Sequence, residues 1–275
     1  MDFNFIKRRL RNLIKIFFES FECIYKEIPN QIVELKYKNK IPNVVYQTWV
    51  SRSLPWRMFI EIKKFRNLNR DFSFIVFENS ERDIYMKKSW GDRKIYQIYK
   101  NSVFESSKAD IWRYCILYEK GGYYFDIKSS CENPLSQLTI SKGALISYEF
   151  NNTYIVPSIE LLSEIKTFDL NVIANWGLAF KKNHPLLRIQ IENIEKYSKF
   201  FKSKIFKNPK ANIIAFTGPG MLTKSYRDYL EIYKSKIISN GFDFNGKGIY
   251  QVKGSRYRYK QSRGYGGLKN SKILI

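Results

Sequence analysis

Three charged side chains in one stretch of the sequence have the types and the spacing to hold a polyhydroxylated ligand. Asp110 and Arg113 are three residues apart in a segment whose apolar spacing predicts a helix over residues 106–120, so they share one helix face. A Gly-Gly pair ends this helix, and a short apolar strand then carries Asp126 at its tip. Carboxylates accept hydrogen bonds from neighbouring hydroxyls, and a guanidinium donates to oxygen. The stretch therefore predicts a cleft that binds sugar hydroxyls.

The same residues also fit a plainer interpretation. An Asp and an Arg at this spacing often form a surface ion pair worth about 0.3 kcal/mol, and Asp126 could cap a neighbouring turn. Spacing alone favours this interpretation, because surface pairs of this kind are abundant. Glu149 and Asn175 are expected near the same cleft, although Glu149 could equally be a surface carboxylate. Their positions in the fold must decide between the two interpretations.

An α/β layer over residues 41–150 is predicted to position these side chains. Its predicted elements are strands over 41–47, 72–77, 123–127 and 144–148 and helices over 55–67 and 106–120. The first strand, helix and second strand form a βαβ unit, which requires parallel strands. Ligands of open α/β sheets bind at the carboxyl ends of such strands, and Asp126 stands at one of them.

The second half of the chain shows a less regular pattern. A helix is predicted to begin near Pro185, directly after His184, which is expected to order that turn rather than to do chemistry. Gly218, Pro219 and Gly220 directly precede another predicted helix. Backbone N–H groups at such a helix N-terminus can approach an anion, but a plain turn explains the same residues equally well.

The segment SSKADIWRYCILYEKGGYYFDIKSSCENPL resembles the sugar-binding region of the DXD-containing glycosyltransferases of family 32. That region combines Ala-Asp, Arg-Tyr and Leu-Tyr with Gly-Gly-x-Tyr-x-Asp-x-Asp, and Pro-Leu follows shortly after. The matching residues here are Ala109, Asp110, Arg113, Tyr114, Leu117, Tyr118, Gly121, Gly122, Tyr124, Asp126, Pro134 and Leu135. The segments IPNVVYQTW, NWGLAFKKNHPLL and TGPGMLT agree in order, so the resemblance spans residues 41–226, with Tyr46 where the family usually has His.

The resemblance implies an α/β fold of the GT-A type, a Rossmann-like nucleotide-sugar-binding domain with a mixed central sheet. It further implies transfer of a sugar from a UDP- or GDP-sugar donor, generally with retention at the anomeric carbon, to a glycan or lipid-linked glycan. Donor-binding residues carried over on the motifs are Gln47, Thr48, Trp49, Asp110, Arg113, Tyr114, Gly121, Gly122, Asp126, Asn175, Gly218 and Pro219. The resemblance implies that the strand over 44–49 contributes to the nucleotide pocket, that Asp110 and Arg113 contact the donor sugar, and that Asp126 contacts the ribose or the donor sugar. We assign a catalytic group of Asp126, Lys128 and Glu149.

Lys128 departs from the family pattern. It replaces the second Asp of the motif, which would hold Mn²⁺ or Mg²⁺ against the diphosphate, and a protonated Lys does not bind a divalent cation. Three alternatives remain open. Lys128 neutralises the leaving diphosphate in place of the metal, or Asp126 alone holds the metal with phosphates and waters, or transfer has been lost and the protein only binds sugar or nucleotide. We favour the first, because stabilising the charge of the leaving group is the main requirement.

Composition narrows the function classes. The net charge of +23 attracts polyanions such as nucleic acid, anionic lipid or nucleotide phosphates. No helix-turn-helix, zinc spacing or RNP-like segment accompanies this charge, so we expect no specific nucleic-acid partner. Three scattered cysteines suit a reducing compartment, and a single histidine excludes a His-rich zinc site. No transmembrane run of about 18 apolar residues and no signal-peptide pattern is present.

The N-terminus has a pattern of its own. Apolar residues recur at helical spacing over residues 3–27, with five basic residues near the start, which predicts an amphipathic helix on an anionic membrane surface. An ordinary helix packed on the domain is the alternative. We divide the chain into a basic helical segment (1–40), a glycosyltransferase domain (41–248) and a basic tail (249–275). The predicted place is the cytoplasmic face of the inner membrane, in capsule or lipopolysaccharide synthesis.

Overall fold

The computed structural model of the chain describes residues 24–34, 37–38, 41–127, 129–131, 134–138, 142–148, 172–237, 249–251 and 269–275. The helices of these ranges are α1 (Trp56–Leu68), α2 (Asn79–Trp90), α3 (Lys94–Asn101), α4 (Glu105–Lys120), α5 (Pro185–Tyr197), α6 (Pro209–Phe216) and α7 (Pro219–Tyr233). The strands are β1 (Tyr25–Glu27), β2 (Tyr37–Lys38), β3 (Ile41–Pro42), β4 (Val44–Trp49), β5 (Ser53–Pro55), β6 (Ser73–Glu78), β7 (Gly122–Phe125), β8 (Ser129–Cys131), β9 (Ala144–Leu145), β10 (Gly177–Phe180), β11 (Ile205–Phe206), β12 (Ile249–Gln251) and β13 (Ser271–Lys272).

A mixed five-stranded sheet in the order β6–β4–β7–β10–β9 forms the centre of the fold. β4 pairs in parallel with β6 and with β7, whereas β10 is antiparallel to both β7 and β9. The predicted parallel βαβ unit is therefore confirmed. The three parallel strands end at the same edge of the sheet, at Trp49, Glu78 and Phe125, and Asp126 follows directly at that edge.

Helices cover both faces of this sheet, and β7 shows how. Successive residues of a strand point to opposite faces. Tyr124 packs against Trp112 of α4, with ring centroids 6.1 Å apart, and Phe125 packs against Phe65 of α1 at 5.7 Å. These two sides are called the α4 face and the α1 face below. Predicted helix 106–120 corresponds to α4 with a start one residue earlier.

Strand β10 was not part of the predicted layer, although it lies between β7 and β9. Its four residues are all buried and carry no polar–apolar alternation, so they give no strand signal of their own. Pairing with β7 stabilises the strand instead, in the register Gly177 to Phe125. The backbone N–H of Asp126 then donates to the carbonyl of Trp176 at 2.8 Å, which fixes the loop before β10 beside the strand edge.

The predicted helix over residues 3–27 is wrong at its C-terminal end. Tyr25–Glu27 form strand β1, which pairs antiparallel with β5, and Trp56 N–H donates to the carbonyl of Ile24. Pairing with β5 overrides the helical spacing of the apolar residues in this short stretch. Residues 1–23, the basic part of that prediction, lie outside the described residues. Within the described ranges, no helix is long and apolar enough to cross a bilayer.

Both predicted helix starts of the second half are confirmed. His184 is the N-cap of α5, and its Nδ1 accepts a hydrogen bond from the N–H of Leu186 at 3.2 Å. Burial, together with the nearby Lys181, lowers the pKa of His184 to about 4, so the ring is neutral in the cap. In the predicted tail, β12 pairs with β8 and β13 pairs with β11, so these described residues belong to the fold.

Candidate functional site

An ion cluster of two carboxylates and one guanidinium lies at the carboxyl edge of the sheet. Arg113 Nη2 is 3.0 Å from Asp110 Oδ1, and Arg113 Nη1 is 3.5 Å from Asp126 Oδ1. The side chains of Arg113 and Asp110 are only 6% and 9% exposed, whereas that of Asp126 is 24% exposed. The pair is therefore not a surface ion pair. The structure brings together the three residues that spacing predicted to converge.

Several groups fix the guanidinium of Arg113. Nη1 donates to the backbone carbonyl of Asn175 at 2.6 Å, and the guanidinium carbon lies 4.2 Å from the ring centroid of Tyr124. Burial by itself lowers the pKa of Arg113. Tyr124 and the two carboxylates outweigh it and raise that pKa above its ordinary value, so the residue stays charged. A buried, oriented cation of this kind offers a fixed positive charge to a ligand oxygen.

Asp110 accepts hydrogen bonds at both carboxylate oxygens. Oδ1 accepts from Asn175 Nδ2 at 3.0 Å, besides the ion pair with Arg113, and Oδ2 accepts from Thr217 Oγ1 at 3.0 Å. Burial raises the pKa of Asp110 to about 6, against the opposing effects of Arg113 and Thr217. Asp110 is therefore ionised at neutral pH, and its hydrogen-bonding capacity is largely used within the protein.

Asp126 is the open member of the cluster. Its Oδ1 accepts a hydrogen bond from the hydroxyl of Tyr124 at 2.7 Å, on the same side as Arg113. Within the described residues, no hydrogen bond reaches Oδ2. Asp126 thus combines a fixed orientation with an acceptor oxygen that no other described residue engages, which is what a ligand hydroxyl needs.

Asn175 and Tyr114 lie next to the ion cluster, and Asn175 forms hydrogen bonds with two of its members. The carbonyl and the amide of Asn175 bind Arg113 and Asp110, respectively, and the buried hydroxyl of Tyr114 lies 3.5 Å from Asn175 Nδ2. Both residues were predicted as donor-binding. The structure places them next to the charged groups, where they position those groups.

The end of β4 presents its side chains to two different faces. Thr48 lies on the α4 face, where its hydroxyl donates to the carbonyl of Phe77 at 2.9 Å and accepts from Arg82 Nη1 at 3.4 Å. Gln47 alternates to the α1 face and is completely buried. Its Oε1 and Nε2 have no hydrogen-bond partner among the described residues. A buried amide without partners is costly, by about 1–3 kcal/mol.

Trp49 packs on the α1 face with Met58, Ile62, Val76 and Ile127. The structure therefore does not bring Gln47 and Trp49 to the Asp110–Arg113 pair. They lie at the same sheet edge but on its other side.

Two of the glycines that were predicted to bind the donor have a backbone conformation that favours glycine. Gly121 and Gly122 have φ of +69° and +110°. A Cβ at Gly122 would lie 2.8 Å from Val44 Cγ1 and 2.9 Å from Val44 O, so only glycine fits this turn. The N–H of Gly218 donates to the carbonyl of Ile213, and Pro219 has no N–H. These two residues therefore offer no free backbone N–H to an anion.

Two residues of the site were missed by sequence reasoning. Thr217, which bonds Asp110, stands directly before Gly218, and the TGPGMLT motif was the signal that could have found it. Ser106 stands one turn before Asp110 on the same face of α4, and its buried Oγ has no hydrogen-bond partner among the described residues. Lys128 and Glu149 lie outside the described residues.

The part of the chain that the structure describes holds one carboxylate of the motif, Asp126, for a divalent cation, which phosphates and waters would have to complete. Among the described residues, no three His, Cys, Asp or Glu side chains lie close enough together to hold a metal ion. A guanidinium lies 3.5 Å from the first carboxylate of the motif, Asp126, and the sequence places Lys128 at the second. Cations at both positions repel a metal ion electrostatically.

Comparisons with known proteins show which proteins this chain resembles. Residues 55–145 match the family described as "Glycosyltransferase sugar-binding region containing DXD motif". An initiation-specific alpha-1,6-mannosyltransferase of Candida albicans is 26% identical over 71% of this chain and 56% of that protein. The protein of the same name in Schizosaccharomyces pombe is 27% identical over 78% and 55%, respectively. Inositol phosphoceramide mannosyltransferase 1 of S. pombe is 26% identical over 70% and 53%.

The chain spans about half the length of these curated relatives. Among solved structures, "PaToxG Glycosyltransferase" superposes with a TM-score of 0.51 and 14% identity, covering 96% of this chain and 90% of that chain. The predicted fold, a mixed α/β sheet of the GT-A type, is thereby confirmed. The family match and the relatives support a transferase, and residues 55–145 are the part of the chain that is similar to the sugar-binding region of DXD-containing glycosyltransferases.

Proposed function

We propose that the protein transfers a sugar from a nucleotide-sugar donor to a glycan or glycolipid acceptor, with retention at the anomeric carbon. The observation that carries the proposal is the buried Asp110–Arg113 pair beside an open carboxylate, Asp126, at the carboxyl edge of parallel strands. The names of the relatives favour mannose as the sugar. They lend no support to a capsule or lipopolysaccharide acceptor, and a lipid-linked glycan or a glycolipid is the acceptor class we propose.

In this proposal the three charged residues have different tasks. Asp126 accepts a hydrogen bond from a hydroxyl of the donor, because its Oδ2 is open. Arg113 presents its charge to donor oxygens. Asp110 is a positioning residue rather than a contact residue, because both of its oxygens are engaged by Arg113, Asn175 and Thr217.

Lys128 stabilises the leaving diphosphate in our proposal. The bond between the anomeric carbon and the diphosphate oxygen breaks, and negative charge develops on the nucleoside diphosphate. A metal ion or a fixed cationic side chain can stabilise that negative charge. Support for the cation comes from the residue types, since Lys128 stands at the position of the second acidic residue of the motif, and among the described residues no three His, Cys, Asp or Glu side chains cluster. Glu149, which the sequence places just after the segment that includes β9, is the third member of the proposed catalytic group.

Gln47 is proposed to contact the nucleotide. Its unpaired amide at the end of β4 has one donor group and one acceptor, which suits the edge of a nucleobase. A donor that reaches from Gln47 on the α1 face to Arg113 on the α4 face would cross the carboxyl edge of the sheet.

A thermal-shift and turnover screen tests the proposed function. The full chain is incubated with UDP- and GDP-sugars, with and without Mn²⁺, and donor hydrolysis is followed in parallel. We expect one donor to raise Tm by mass action and to be hydrolysed slowly without acceptor. The variant Asp126→Asn should lose both effects while it keeps the Tm of the free protein. No shift and no hydrolysis with any donor would contradict the proposal.

A second candidate is a binding protein that has lost transfer, and the Lys128 substitution is the observation in its favour. The two candidates separate in the same screen. A binding protein shows the donor-induced rise in Tm without hydrolysis or transfer, whereas an active transferase shows both.

A further inference from the structure

A basic and partly apolar surface lies where three segments of the chain meet, outside the candidate site. Residues 269–275 lie between residues 100–103 and residues 202–207, and we call these ranges together the three-segment patch. Val103 N–H donates to the carbonyl of Ile273 at 3.1 Å, and Ser203 N–H donates to that of Leu274 at 2.8 Å. β11 also pairs with β13. The backbone of the patch is therefore cross-linked and rigid.

The charged side chains of the three-segment patch all have one sign. The patch has no Asp or Glu side chain and six exposed lysines, which are Lys100, Lys202, Lys204, Lys207, Lys269 and Lys272. Among the described residues, none of the six forms an ion pair with a carboxylate. The lysines are thus available to a negatively charged partner, and their mutual repulsion is relieved when one binds.

Aliphatic side chains are exposed among these lysines. Val103, Ile205 and Ile275 are 45%, 65% and 62% exposed, while Ile273 and Leu274 are buried and anchor the segment. The pairing of the segments and the spacing of strands place the three exposed residues within about 12 Å of one another. One exposed apolar residue is ordinary, but three of them within a cluster of unpaired lysines indicate an interaction surface.

We propose that the three-segment patch docks the protein on an anionic lipid bilayer. Lysine ammonium groups reach lipid phosphates, while Val and Ile side chains enter the boundary between headgroups and acyl chains. Nucleic acid fits this surface less well. The patch has no Arg, and its single aromatic residue, Phe206, is buried, so it offers neither forked phosphate recognition nor rings on which bases stack.

The three-segment patch lies close to the candidate functional site. Val103 stands two residues before the start of α4, and β11 precedes α6, the helix that ends just before Thr217. From the rise per residue of these helices, the patch lies about 10–15 Å from the Asp110–Arg113 pair. A bilayer bound there would hold lipid-attached acceptors near the cleft. The docking itself does not depend on whether transfer occurs.

Vesicle co-sedimentation of the full chain tests the proposal. The patch variant Ile205→Ser/Lys204→Gln/Lys207→Gln is compared with a control, Ile84→Ser/Lys87→Gln/Lys88→Gln, which removes the same types of exposed residues from α2. We expect wild type and control to bind phosphatidylcholine vesicles only when these contain phosphatidylserine, and less so at high salt. The patch variant should bind roughly thirtyfold more weakly, from the two lost lysine charges alone.

Three results would overturn the proposal. The first is equal binding of patch and control variants to the anionic vesicles, which would leave residues outside the patch as the membrane contact. The second is binding that does not depend on phosphatidylserine. The third is a patch variant that binds vesicles like the control but has lost binding to a random RNA. That result would make nucleic acid, and not a bilayer, the partner of the patch. An unchanged Tm of both variants checks that they are folded.

Discussion

Thr217 Oγ1 donates a hydrogen bond of 3.0 Å to Asp110 Oδ2, although the two residues are 107 positions apart in the chain. The bond joins the C-terminal cap of α6 to the middle of α4, and it engages the second oxygen of the carboxylate that pairs with Arg113. Because a buried carboxylate must be hydrogen-bonded to stay ionised, Thr217 keeps the cluster in its charged form.

Thr217→Val should weaken the site without unfolding the protein. The substitution preserves shape but removes a hydrogen bond to a charged acceptor, worth about 1.5–3 kcal/mol, so kcat/KM for the donor should fall roughly tenfold or more. The pKa of Asp110 should rise further above its value of about 6, because Thr217 lowers it in wild type. The acid limb of the pH–activity profile should therefore move to higher pH.

Thr217→Ser is the matched control, since it keeps the donating hydroxyl. We expect near wild-type kcat/KM and an unmoved acid limb. If Thr217→Val had wild-type kinetics and the same pH profile, the positioning role of Thr217 would be disproved.

Local patterns predicted much of the site from sequence. Helix 106–120, its Gly-Gly end and the strand that follows are set by residues close together in the chain, so Asp110, Arg113 and Asp126 were correctly expected to converge. The faces of β4 also follow from strand alternation: Gln47 lies on the α1 face and Thr48 on the α4 face of the strand that was expected to contribute to the nucleotide pocket.

Burial and long-range partners were not predictable in the same way. Asn175 reaches Arg113 because β10 inserts between β7 and β9, and this four-residue strand has no sequence pattern of its own. Thr217 reaches Asp110 only after α6 and α7 have packed. Spacing could not show that the Asp110–Arg113 pair is buried, because burial depends on these later elements.

Asp110 should make stability depend on pH in the direction opposite to most carboxylates. Its pKa is raised by burial from 3.8 to about 6, so between these values the folded protein binds more protons at this group than the unfolded chain does. Its contribution to the free energy of unfolding is full below pH 3.8 and is lost as pH rises through 6. Relative to Asp110→Asn, wild type should therefore gain Tm as pH falls from 7 to 4.

Calorimetry of wild type and Asp110→Asn between pH 7 and pH 4 measures the contribution of Asp110, because both proteins contain all the other carboxylates. A difference in Tm that stays constant with pH, or that changes in the opposite direction, would show that Asp110 is not protonated in this range. Asp110→Asn should also lose donor binding, since Asn cannot hold Arg113 as an ion pair.

Gln47→Leu should stabilise the protein and weaken donor binding at the same time. The native amide is buried without hydrogen-bond partners in the described residues, and an apolar side chain of similar size removes that cost of about 1–3 kcal/mol. Tm of the free protein should rise, and the donor-induced shift should shrink. A matched change at Gln190, whose Nε2 is also unpaired but whose Oε1 accepts from Ser225, should leave donor binding unchanged. Full donor affinity in Gln47→Leu would exclude Gln47 from the nucleotide pocket.

Lys128→Asp should convert a metal-independent reaction into a metal-dependent one. The change creates the Asp-x-Asp spacing with Asp126 and replaces the cation by a ligand for Mn²⁺ or Mg²⁺. We expect the activity of wild type to be unaffected by EDTA. In Lys128→Ala, kcat should fall tenfold or more and Mn²⁺ should not restore it, because no cation stabilises the charge on the leaving diphosphate. Lys128→Asp should be inactive in EDTA and regain turnover when Mn²⁺ is added. The opposite pattern, with wild type silenced by EDTA and restored by Mn²⁺ while Lys128→Ala stays active, would show that Asp126 and the donor phosphates hold a metal and that Lys128 takes no part.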